Sequence, residues 1–196
     1  MGALLAQLAG SPIAQIELSC AGEVADLNET EFLEYSLLAA ALGQSLDLGV
    51  NLVNAPILAA ERGIRCLTGK ESDSLGYRSL LRARVSNAEG TESHTICGTV
   101  FGGDPRIVEA EGARVDFAPR GHLVITRHRD QPGVIGLIGS LLGKAEANIR
   151  RVELAPPHGK EELAAAFLAL YEEPAPELVA AIRELEMVES VHHLSL

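Results

Sequence analysis

Apolar and polar positions along the chain fall into two textures. Leu4, Leu5 and Leu8 form a short helical stripe that ends near Gly10-Ser11-Pro12. No Ser, Thr, Asp or Asn precedes that stripe to cap it, so the chain is expected to begin inside an element, as a piece of a longer chain does. Ile13 to Ser19 alternates, with Ile16 and Leu18 on one face and Gln15 and Glu17 on the other, which predicts a strand. Asn28 is placed to cap a helix that carries Glu29 and Glu31 in its first turn and runs through Phe32, Leu33, Leu37 and Ala40-Ala41 to Gly43. Asn54-Ala55-Pro56 starts another helix, which Gly63 stops. Beyond it the texture turns β: strands over 64–68 and 77–85, a turn at Asn87-Ala88-Glu89-Gly90, a β-branched strand over 91–101, a turn at Gly102-Gly103-Asp104-Pro105, and a hairpin about Glu111-Gly112.

Ala118-Pro119-Arg120-Gly121 is the best linker, and a more compact pattern follows it. Residues 122–128 alternate and stop at Asp130-Gln131-Pro132-Gly133. Val134, Leu137, Ile138, Leu141 and Leu142 then form one apolar helical stripe. The opposite side carries Gly133, Gly136, Gly139, Ser140 and Gly143. Glycine costs about 1 kcal/mol inside a helix, so this run predicts either a close approach to that backbone or a ligand at the helix start. A strand over 149–154, a loop at Pro156-Pro157-His158-Gly159, a helix from Pro176 and a last strand over 188–196 complete the pattern. Glu162 to Leu170, rich in Ala and Leu, favours a helix by propensity alone.

Composition narrows the function. The chain has 196 residues with 16 Lys+Arg against 27 Asp+Glu, a net charge of −11 that disfavours generic nucleic-acid binding. No apolar run approaches the ~20 residues of a membrane helix, and the first residues, without a basic region or cleavage site, are not expected to be a secretory signal. Cys20, Cys66 and Cys97 are odd in number and far apart, which suits reduced thiols and a cytoplasmic setting. Charge is uneven: residues 1–61 hold no Lys or Arg, whereas Arg106 to Arg151 carries eight cations against five carboxylates. That basic stretch can hold a small anion, or it is an ordinary solvated face. His94, His158, His192 and His193 lack metal-site spacing and read as structural, so no metal is expected. Nothing reads G-x-G-x-x-G between a strand and a helix.

Two motif sets carry a resemblance. Gly121-His122-Leu123, Asp130-Gln131-Pro132-Gly133-Val134-Ile135-Gly136 and Ala147-Asn148-Ile149 resemble an ACT domain, a βαββαβ amino-acid-sensing module. Gln131 stands where that family commonly has Arg. Upstream, Ala21-Gly22-Glu23-Val24-Ala25, Val53-Asn54-Ala55-Pro56, Ala60-Glu61-Arg62-Gly63, Gly98 to Gly103 and Pro105-Arg106-Ile107-Val108 resemble the allosteric-substrate-binding domain of long D-3-phosphoglycerate dehydrogenases. The resemblance implies an α+β chain of two domains: a mixed α+β domain over 1–118 and a ferredoxin-like ACT domain over 119–196. The Ala-rich segment then becomes the third ACT strand, against its propensity. In that family the NAD-dependent chemistry lies N-terminal to everything here, so this chain is expected to have no cofactor and no catalysis of its own.

The resemblance also implies L-serine as effector, bound between two ACT domains of a homodimer or tetramer. The start of the Pro132-Gly133 helix, with Gly133 and Val134, offers backbone N–H groups and a positive dipole end to a carboxylate. Asp130 can take the ammonium, Asn148 can donate and accept toward a neighbouring chain, and His128 shares a strand face with Asp130. Plainer roles stand beside these: Asp130 as a turn former, Asn148 as a chain reversal, His128 as an exposed strand residue. By the same match Arg106 and Arg114 are candidates for a phosphate-bearing anion, through guanidinium forks, or are partners in surface ion pairs. Two other plans are weighed: the β chain of an iron–sulfur L-serine dehydratase, whose S-S-S-H-T stretch is missing here, and a stand-alone regulator docking on another enzyme.

Overall fold

A computed structural model describes residues 1–46, 49–156 and 163–196. The chain divides into two compact units, Met1–Gly112 and Ala113–Leu196. In sequence order the first unit holds helix α1 (Gly2–Leu8), strand β1 (Gln15–Gly22), a 3₁₀ turn (Glu23–Asp26), helices α2 (Glu31–Leu42) and α3 (Ala55–Glu61), and strands β2 (Arg65–Lys70), β3 (Ser79–Ser86), β4 (Ser93–Phe101) and β5 (Asp104–Ala110). The second holds β6 (Ala113–Phe117), β7 (His122–Arg129), α4 (Val134–Lys144), β8 (Ile149–Ala155), β9 (Leu163–Leu170), α5 (Pro176–Arg183) and β10 (Val188–Ser195). The expected boundary at 118–119 falls after β6. That strand packs against β8, and Phe117 stacks on Phe167 of β9 at 5.7 Å.

In the first unit β2-β1-β3-β4-β5 are ordered side by side. β1 pairs with β2 in parallel, and the other neighbours are antiparallel. The register puts Ile16, Leu18 and Cys20 of β1 beside Val85, Ala83 and Leu81 of β3, a largely buried face that meets α1 and α2. The two helices approach very closely at Gly2. A Cβ there would sit 2.9 Å from the Ala41 nitrogen and closer still to the Leu37 carbonyl. The opposite face is mostly polar, and Leu75 and Tyr77 close over a small buried group of Ala21, Leu80, Cys97 and Val108. Arg82 crosses that face, donating to Glu71 at 3.0 Å and Glu109 at 2.9 Å.

Asn28 does not cap α2. The 3₁₀ turn and an extended Leu27 occupy the chain before it, so the helix starts at Glu31 with Thr30 at its N-cap and no side-chain cap bond. The Thr30 carbonyl accepts the Leu33 amide at 3.0 Å instead.

The second unit runs βαββαβ from β7 to β10, with strand order β10-β7-β9-β8, antiparallel throughout. That order with two helices on one face is the ferredoxin-like arrangement. Val134, Ile138 and Leu142 of α4 and Leu178 and Ile182 of α5 pack on Val124, Ala166, Leu168 and Leu170. β9 is a strand although its sequence favours a helix, because it lies between β7 and β8 and its backbone pairs on both sides. Sheet context overrides propensity here, and the small Ala164 and Ala166 let the helix layer sit close. Of the two readings of the α4 glycine run, close approach of other described residues to that backbone is not seen. A Cβ at Gly136, Gly139 or Gly143 would meet nothing within 4 Å, because these residues lie opposite the stripe that faces the sheet.

Candidate functional site

β7 ends at Arg129, and its last turn into α4 builds a small cavity of about 180 Å³. Its floor is His128 with Ala164 and Ala165 of β9. Ile135 of α4 and Leu154 of β8 form the walls, and Asp130 and Gln131 stand at the rim. At about 30 Å³ per water, this space admits a ligand of a few heavy atoms. Gly133 makes the turn possible. It sits at the N-cap with φ 96°, a left-handed conformation that favours glycine. No side chain caps α4, so the first-turn N–H groups of the helix have no such partner at the cavity's side.

His128 is buried at 3% exposure, so the plain reading of it as an exposed strand residue fails. Its Nδ1 lies 3.2 Å from the Thr126 hydroxyl on the same strand face. Burial pushes its pKa down, opposed by the Asp130 charge, so near neutral pH the ring is uncharged, with one nitrogen donating and the other accepting. Asp130 is exposed, and Val134 is buried beneath the helix start. Asn148 is exposed at the start of β8, where its carbonyl accepts the Tyr171 amide at 3.1 Å. The register of β8 on β9 puts Ile149 beside Leu170 and Ala155 beside Ala165. Within one chain, Asn148 and the cavity therefore lie at opposite ends of β8.

β8 is an edge. The strand order stops there, and Ile149, Val152 and Leu154 are 38%, 38% and 55% exposed. An edge strand leaves a row of backbone donors and acceptors unpaired. The cavity walls Ile135 and Leu154 were not singled out from the sequence. Both are apolar residues without a motif of their own, and the edge position that exposes Leu154 is set by the strand order.

Arg106 is half-buried on β5 in the first unit, and Arg114 is exposed on β6 in the second. A larger cavity of about 660 Å³ opens in the first unit between α1, the end of α2 and β1, and among the described residues Arg62 is the cation that lines it. None of the expected site residues lines it. His158 lies outside the described residues. Among those described, no group of three or more His, Cys, Asp or Glu residues is placed to hold a metal, and no helix is long and apolar enough to cross a membrane.

Comparison with known proteins follows the two units. Residues 1–111 match the profile of the D-3-phosphoglycerate dehydrogenase intervening domain. A D-3-phosphoglycerate dehydrogenase of Archaeoglobus fulgidus is 32% identical over 197 residues, covering 100% of this chain and 37% of the relative. One from Bacillus subtilis is 35% identical over 154 residues, covering 79% of this chain and 29% of the relative. The chain thus spans about a third of the length of the relatives it matches. Among solved structures, an ACT domain from the GTP pyrophosphokinase of Chlorobium tepidum aligns with 38% of this chain and 97% of its own, at 19% identity and TM-score 0.32. The ferredoxin-like assignment rests on the strand order alone.

Proposed function

The chain belongs to the family of D-3-phosphoglycerate dehydrogenase intervening domains, and from that premise we propose that it is the regulatory, amino-acid-sensing part of such an enzyme. The NAD-dependent step falls to parts of the relatives that this chain does not span. The effector is L-serine, held at the cavity where β7 turns into α4. One observation carries the reading: a cavity of amino-acid size lies beneath an uncapped helix start and beside an unpaired sheet edge.

Each part of the ligand has a counterpart. The N–H groups and dipole of α4 suit the carboxylate. Asp130 suits the ammonium by a charge-assisted bond. Neutral His128 offers a hydrogen-bonding nitrogen to the side-chain hydroxyl without adding charge. The β8 edge supplies the assembly. Antiparallel pairing of two β8 strands about a twofold axis sets the start of one beside the end of the other. That operation brings Asn148 of a second copy to the cavity rim, which a single chain cannot do, and it covers Ile149, Val152 and Leu154. Serine bound across the seam favours the paired state and shifts the attached enzyme's conformations by no more than its differential affinity for them. In the first unit an anionic, phosphate-bearing effector is proposed as well, with Arg106 as a guanidinium donor; Arg114, in the second unit, is not assigned to that site.

Calorimetric titration of L-serine tests the effector, with D-serine as control and Asp130→Ala and Asn148→Ala beside wild type. Binding of the L-isomer, weakened in both variants, is the expected outcome. No heat and no thermal stabilisation at millimolar L-serine overturns the reading. Sedimentation at matched concentrations adds the assembly. A wild-type dimer that Leu154→Lys converts to monomer supports the β8 seam, and a dimer untouched by that change removes it.

A further inference from the structure

His94, on β4 of the first unit, stands between two carboxylates. Its Nε2 lies 3.3 Å from Glu92 Oε1 and its Nδ1 3.5 Å from Glu111 Oε1. Each carboxylate is also fastened to backbone. Glu92 accepts the Gly10 amide and the Ser11 hydroxyl, both at 2.6 Å, in the joint between α1 and β1. Glu111 accepts the Thr95 amide at 2.9 Å, while its own amide donates to the Thr95 carbonyl at 2.9 Å. Glu111 also holds φ 54°, an uncommon conformation for a residue with a side chain. One ring therefore links the joint after α1 to the turn that ends β5.

The chemistry of imidazole makes this link conditional. A neutral ring has one donor nitrogen and one acceptor. Set between two carboxylates, it can satisfy one of them and must turn a lone pair on the other. Only the doubly protonated ring suits both. Nδ1 is the weaker side: it is buried, and 3.5 Å is longer than a well-formed N–H···O bond, so it has no hydrogen-bond partner by geometry. Among the described residues, the charged groups that act on the ring are Glu92 and Glu111. Glu92 comes from the turn before β4 and Glu111 from the end of β5. The α1–β1 joint brings uncharged Gly10 and Ser11, and β3 brings Val85, its cross-strand neighbour.

We propose that His94 is a proton-operated latch, which when protonated fastens the α1–β1 joint and the Glu111 turn to β4 and when neutral lets the Glu111 side go. Glu111 and then Glu92 hold the ring above the usual histidine range in spite of its burial. Because the folded pKa is raised, the latch is fully closed below about pH 6.5 and opens as pH rises through the folded value. Glu92 sets the acid limit. Its pKa is held down by Ser11 and then by Gly10, so its bonds persist above the ordinary carboxylate range and are lost only in stronger acid. The latch stands on residues of the first unit and does not depend on the effector reading.

Nitrogen-15 shifts of the His94 ring, followed through a pH titration of the whole chain, read the latch directly. Both ring nitrogens should be protonated at pH 6.5, and the midpoint should lie above that of an exposed histidine. Glu111→Gln should bring it down. Amide exchange supplies the second measurement. After correction for intrinsic base catalysis, protection of the Glu111 amide should fall about tenfold for each pH unit of midpoint elevation, and should stay flat in His94→Gln. A single neutral tautomer at pH 6.5 in wild type, or protection that ignores the titration, overturns the proposal. The wild-type titration decides even if His94→Gln does not fold.

Discussion

Replacing Gly136 and Gly139 by alanine should make the second unit more stable. Both lie inside α4, where glycine is about 1 kcal/mol less favourable than alanine. Beyond the helix's own backbone, neither position has an atom of the described residues within 4 Å of the added Cβ, so the methyl groups disturb no packing there. The two positions are i,i+3 neighbours, so each single substitution is measured beside the pair to separate their intrinsic effects from any coupling. Each substitution is worth up to about 1 kcal/mol and the pair up to roughly 2 kcal/mol, and in a domain of this size each 1 kcal/mol moves the melting temperature by about 4–8 °C. Urea titration, followed by resonances of the buried β9 residues Leu168 and Leu170, isolates the second unit from the first. Ile138→Ala on the same helix is the opposing control. Ile138 is fully buried, and its truncation should cost about 2–5 kcal/mol. A stability loss from the glycine pair at every protein concentration would refute the argument, because it requires a neighbour that the outer face of α4 does not have. A loss confined to high concentration would place a second copy there.

Three shorter predictions follow from the packing and the titrating groups. Gly2→Ala should destabilise the first unit by about 1–3 kcal/mol, since the added Cβ overlaps α2 backbone at Leu37 and Ala41; unchanged urea unfolding would deny the close helix crossing. Burial, and then the Glu109 charge, push the Cys97 thiol up to about 12, so Cys97 should resist iodoacetamide at pH 8 in the folded protein and react once unfolded. Peptide mass analysis showing it labelled as fast as the half-buried Cys66 would contradict this. His128 has a folded pKa below its unfolded value because of burial. Its contribution to stability is therefore complete above about pH 6.5 and declines as pH falls toward the folded value. Urea midpoints between pH 7.5 and 5.5 should drop less in His128→Gln than in wild type, although His193, also lowered by burial, retains part of the slope.

Much of this architecture was readable from short-range chemistry. The Asn87–Gly90 and Gly102-Gly103 turns announce their hairpins, and the Val134–Ile138–Leu142 spacing announces the helix that covers the second sheet. Three features were not decided by composition and propensity alone. Asn28 is a good cap by composition, yet the 3₁₀ turn just before it moves the helix start to Glu31. The Ala-rich β9 looks helical because propensity is local, while its pairing partners come from β7 and β8. The glycines of α4 signalled close contact, but helical phase turns them away from the sheet. At the site, the turn at Asp130–Gly133 was legible, whereas the Leu154 wall depends on β8 falling at the end of the strand order. The His94 cluster was hidden for a different reason: Gly10, Glu92, His94 and Glu111 form no motif, and only the β3–β4–β5 ladder gathers them.

The parallel pairing of β1 with β2 carries a kinetic consequence. The two strands are joined through everything from residue 23 to residue 64, including α2 and α3. Closing so long a segment costs entropy that grows as about (3/2)RT ln n, and nothing repays it until the helices are in place. β3, β4 and β5 close on one another through tight turns and can form early. β2, exposed along most of its length and held by β1 together with a bond from Thr68 to Glu34, is then the last strand to join and the first to leave. The order in which the first unit assembles is thus written into one non-local pairing at its rim.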